Sequence, residues 1–155
     1  MAALLDVVMR VVHSATAATW AGTVLFLTVG ILPSALDGSF DAGPMTAVVS
    51  RFKWLSRASS ALLFVTGGHL AGSAYTVESL TGSPRGHLVL TMLGLWFVLT
   101  GLCEVAASKL DAGFEQKKVR TPAHDAKPFL YAASLVAVGL LVDAVLITNG
   151  AGIVY

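Results

Sequence analysis

HLVLTMLGLWFVLTGLCEVAA, His87–Ala107, is an apolar stretch interrupted by a single carboxylate, Glu104, near its end. A helix needs roughly 20 apolar residues to cross a hydrocarbon layer about 30 Å thick, so this stretch has the length of one crossing. Working outward, comparable stretches occupy about Leu4–Leu32, Phe52–Tyr75 and Pro128–Asn149. Backbone amides in lipid have no water to bond, so an open-ended crossing must be helical. The expectation is an all-α protein, an integral membrane four-helix bundle forming one domain over residues 1–155.

Composition supports this reading. The chain is 55% hydrophobic and 12% charged, with a mean hydropathy of +0.77. A soluble domain carries roughly twice that charge, so lipid is expected to cover most of the surface. A net charge of +1 without a basic stripe gives nucleic acid nothing to bind. The single cysteine, Cys103, excludes an intrachain disulfide and any two-cysteine metal or redox motif. No phosphate-cradling loop, nucleophile elbow or HExxH pattern occurs, so hydrolytic and nucleotide-driven activities have no support. The N-terminus lacks a basic leader, and Asp6 and Arg10 interrupt its apolar run, so it reads as a retained first span.

Between the stretches lie turn-rich or charged segments. The first is expected to stop at Pro33. Gly82, Pro84 and Gly86 mark a short loop over Thr76–Gly86. A hydrophilic connection over Ser108–Lys127 includes His124, and Pro128 suits the first position of the last helix, which Gly150 would end. Basic residues favour cytoplasmic loops. Arg51, Lys53, Arg57, Lys109, Lys117, Lys118, Arg120 and Lys127 lie on one side, against Arg10 and Arg85 on the other. Both basic connections are thus expected in the cytoplasm, with both termini outside a plasma membrane.

Threaded this way, His13, His69, His87 and Asp143 fall in the outer half of the bilayer. Each ionisable group in hydrocarbon costs about 2.5–3.5 kcal/mol even on a lenient scale, so the layer is a candidate site. Met9, His13, Thr16, Trp20 and Thr23 recur at helical spacing, as either a site lining or a packing seam. Thr66, His69 and Ser73 share a face of the second helix, with His69 about 9 Å below its outer end. Two imidazoles at matching depth on neighbouring helices suit one metal ion or a haem iron, or else a hydrogen bond between helices. His87 sits at the wet interface, and Met92 follows about one and a half turns deeper as a soft thioether or a core filler. Asp143 needs a partner, Arg10 or one of the histidines, and reads either as a structural ion pair with Arg10 or as a proton acceptor or cation-attracting carboxylate on the outer side. Arg57 and Glu104 are placed to form a structural pair near the cytoplasmic end.

Arg10-Val-Val-His13 followed by Trp20-Ala-Gly22 resembles the opening helix of copper resistance protein D (CopD) domains. Ser50-Arg51-Phe52, the later Thr66-Gly67, and Gly82-Ser-Pro-Arg-Gly-His87-Leu88 resemble that family's second and third helix entries. The resemblance extends over about Val8–Thr148. The family often has a basic residue where His87 stands and a lysine where this chain has Met92. It implies a membrane protein linked to copper handling, with copper bound or passed by His13, His69, Met92 and Asp143. The arrangement is also similar to HemJ-type protoporphyrinogen oxidases, in which the histidine matching His13 binds haem. That similarity implies, as the alternative, a b-type haem protein with His13 and either His69 or Met92 as axial ligands. It would act in electron transfer or porphyrinogen oxidation, the one enzymatic reading. An accessory membrane subunit is the third possibility, and a homodimer would suit so small a bundle.

Overall fold

The computed structural model describes residues 1–114, 116 and 118–149. Its elements are α1 (Ala2–Phe26), a π-helical turn (Leu27–Ile31), α2 (Leu32–Asp37), α3 (Ala42–Ala74), α4 (Val77–Gly82), α5 (Pro84–Phe114) and α6 (Arg120–Asn149). No strand occurs among the described residues. Three helices are long and apolar enough to cross a membrane: Ala3–Asp37, taken through the π-turn, Pro84–Gly113 and Arg120–Asn149. The fourth long helix, α3, falls short of that apolarity, although it is the longest single helix at 33 residues. α1 packs against α3 and α6, and α5 packs against the same two, so the long helices form a ring.

Close approach in this ring relies on small side chains. Ala106 and Ala107 on α5, and Ala123, Ala126, Ala133 and Ala137 on α6, are all almost fully buried. Small residues let backbones pack closely where lipid provides no hydrophobic drive between helices. Large apolar side chains face outward instead, among them Val7, Phe26, Trp54, Phe97 and Leu135, each more than half exposed. Such a surface suits lipid and would be a liability in water.

The first helix does not stop at Pro33 as expected. Proline lacks an N–H, and its ring clashes with the carbonyl four residues earlier. The π-turn ahead of it widens the helix: the Leu32 N–H donates to the Leu27 carbonyl, five residues back. The chain therefore continues to Asp37. It ends where Gly38 adopts a left-handed φ of 74°, with Gly38 N–H donating to Ala35 O and Ser39 N–H to Ser34 O. This is the backbone conformation that glycine adopts without penalty.

The Ser108–Lys127 connection is also mostly helical. α5 runs on to Phe114, and α6 starts at Arg120 with Pro122 in its first turn, leaving Pro128 inside the helix and His124 near its start. Charged residues here ride on the exposed sides of helices that still bury Leu110, Ala123 and Ala126. α3 likewise starts ten residues before the expected Phe52, burying Met45 and Val49, and the Thr76–Gly86 loop contains the short α4. The expected stop at Gly150 and the basic Lys117 lie outside the described residues.

Gly113 faces the Pro122 ring so closely that a Cβ would collide with it. Gly113→Ala is expected to cost about 1–3 kcal/mol through overpacking, seen as a lower melting temperature in detergent.

Candidate functional site

The bundle is tight at the end holding the α5–α6 connection and looser at the end holding the start of α1 and the end of α6. There a cavity of about 590 Å³ lies among the four long helices. Its walls are mostly apolar and aromatic, with the Phe64 and Trp96 rings tilted by 30° at 5.3 Å between centroids. Trp20, Leu63 and Leu99, all nearly fully buried, form its deepest layer.

His13 and Met92 both line this cavity. His13 Nδ1 lies 2.8 Å from Thr66 Oγ1. The single Thr66 hydroxyl proton already goes to Leu62 O, 2.7 Å away. Thr66 Oγ1 must therefore accept, so Nδ1 carries the ring proton and Nε2 keeps a free lone pair. Nε2 has no protein partner among the described residues. Gly67 makes room for the ring: a Cβ there would stand 3.1 Å from His13 Cε1.

The other sequence candidates lie elsewhere. His69 does not line the cavity. Its Nε2 pairs with Asp6 Oδ1 at 2.9 Å, both side chains being part-exposed. The imidazoles of α1 and α3 thus sit on one interface, each bonded to the facing helix. His87 donates from Nε2 to Thr81 O at 2.7 Å, tying α5 to the end of α4. Asp143 is 5% exposed and also outside the cavity lining, and its Oδ2 has no partner among the described residues. No Arg10–Asp143 ion pair forms there either. Arg57 and Glu104 do pair, through a two-pronged contact of 2.7 and 2.8 Å. No group of three His, Cys, Asp or Glu side chains able to hold a metal ion occurs among the described residues.

Two features escaped sequence reasoning. Asp6 read as an interruption of an apolar run, yet it partners His69; the seven-residue spacing Asp6, His13, Trp20 is the signal that finds it. All three reach across to α3, as a heptad seam does. The Lys53–Asp111 ion pair between α3 and α5 leaves no local trace in sequence.

The helices define a multi-pass membrane protein. The family signature for copper resistance protein D (CopD) matches residues 46–150, and the chain belongs to that family. The matched segment holds most of α3 and all of α4, α5 and α6, with His69, Met92 and Asp143, while α1 and His13 precede it. No curated protein and no solved structure matches the chain.

Proposed function

We propose that this protein binds Cu(I) in the cavity through His13 Nε2 and Met92 Sδ, as part of copper handling in the plasma membrane. The observation that carries the reading is the Thr66 hydrogen bond, which leaves the other imidazole nitrogen unprotonated on a residue that lines the same cavity as a thioether. Soft thioether and imidazole donors select Cu(I) among biological cations. A neutral ligand pair in apolar walls gives a hard, strongly hydrated ion little in exchange for its water. His69 takes an outer position with Asp6, and Asp143 attracts the cation from beyond the cavity wall. Family membership supports the link to copper. The excess of basic residues at the α5–α6 end supports a single four-helix membrane domain with that end in the cytoplasm and the termini outside.

The test is Cu(I) titration of purified protein against a chromophoric chelator. About one equivalent is expected to bind, and His13→Ala or Met92→Leu to abolish it. Thr66→Val, which releases the ring tautomer, should weaken binding about 10–100-fold. Unchanged affinity in His13→Ala and Met92→Leu refutes the reading.

A second reading, a b-type haem protein with His13 and Met92 as axial ligands, rests on the volume. At about 590 Å³ the cavity greatly exceeds one ion and falls within the range of organic-ligand pockets. Haem bound there would supply one-electron chemistry. A Soret band lost in His13→Ala would put this reading ahead of copper.

A further inference from the structure

α3 is the long helix that lacks the apolarity of a membrane span, and much of its polarity is turned inward. Ser56, Ser59, Ser60 and Thr66 are buried at 2–7% exposure. Starting from the end that holds the start of α1, its polar residues bond across to α1 on one seam or to α5 on another. His69 meets Asp6 at 2.9 Å and Thr66 meets His13 at 2.8 Å. Ser60 meets Thr100 at 3.0 Å, and Ser56 accepts from Trp20 Nε1 at 2.9 Å. Arg57 then pairs with Glu104, and Lys53 with Asp111. From residue 53 to residue 69 the file spans about 24 Å of helix, most of a hydrocarbon layer.

One layer without a relay group interrupts it, at the floor of the cavity: Leu63, Leu99 and the indole of Trp20, whose N–H can donate but not accept. Both indoles near this floor are bonded to the serines of α3, Trp20 to Ser56 Oγ and Trp96 to Ser60 O at 3.3 Å. Hydroxyls are hard oxygen donors, poorly suited to a soft cation. A hydroxyl can both donate and accept, however, which is what proton relay requires. Titratable groups stand at both ends: Asp6, His69 and His13 at one, Glu104 and Asp111 at the other.

We infer that the polar file of α3 carries protons between the cavity and the basic end of the bundle, with the Trp20–Leu63–Leu99 layer as its closed gate. The inference does not depend on copper at His13.

The test uses the full chain reconstituted in vesicles loaded with a pH-sensitive dye, under an imposed pH gradient with the membrane potential clamped. Trp20→Ala is expected to equilibrate at least about tenfold faster than the unaltered protein. Leu99→Ala opens the same layer and replaces it should the indole deletion fail to fold. Adding Ser60→Ala and Thr100→Val to the opened variant should return the rate to that of the unaltered protein. The Ser60→Ala/Thr100→Val pair alone should keep its Cu(I) affinity, because neither residue lines the cavity. A folded opened variant that is no faster, or whose rate survives loss of both hydroxyls, overturns the inference and leaves the seam a packing device.

Discussion

Asp143→Leu is expected to make the protein more stable, by about 2 kcal/mol. Asp143 is 95% buried on a helix read as spanning the membrane, and its Oδ2 has no hydrogen-bond partner among the described residues. An unpaired ionisable group at such depth costs about 2.5–3.5 kcal/mol on the lenient insertion scale. Leucine removes that cost and keeps the same branching, but its methyl groups are bulkier than the carboxylate oxygens, so some of the gain is lost to crowding. Asp143→Asn should gain less, because a buried amide also lacks a partner. Thermal melts in detergent read the result: Asp143→Leu should melt several degrees higher, with Asp143→Asn between it and the native chain. Destabilisation by the leucine would mean that the carboxyl has a partner. Retention of such a costly residue is the pattern of a group kept for function. The same variant should therefore bind Cu(I) more weakly if Asp143 attracts the cation.

The second large effect is expected from Gly67→Leu. The His13 ring lies where the Gly67 side chain would be, with a Cβ only 3.1 Å from Cε1 and 3.7 Å from Nδ1. A leucine must push the imidazole away from Thr66 and occupy part of the cavity. Overpacking should cost about 1–3 kcal/mol. Losing the hydrogen bond that fixes the ring should lower Cu(I) affinity by about 100-fold. Gly72→Leu is the matched control, since a Cβ there meets nothing within 4 Å and the residue lies outside the cavity lining. Equal affinities for the two variants would remove His13 from the site.

How much was legible follows from the range of each interaction. Three of the four expected crossings follow from local hydropathy, α3 falling short of it, and the Arg57–Glu104 pair follows from matching depths on neighbouring helices. The helix ends were misread because proline and charge are local signals that packing overrides. Pro33 is absorbed by a π-turn, while Lys109 and Asp111 occupy helical turns whose other faces bury Leu110 and Ala106. Asp6 and His69 are 63 residues apart, and their meeting depends on the register between α1 and α3.

The sequence by itself determined that this chain is helical, that most of its surface prefers lipid, and which end is basic. Those properties depend on composition and on periodicity within single segments. Only the tertiary structure decided that His13 and Met92 share a cavity while His69 and Asp143 do not line it. It also decided that Ser56, Ser59, Ser60 and Thr66 of α3 are buried between helices. The rotation of each helix about its axis decides these placements, and that rotation is set by contacts among all four helices together.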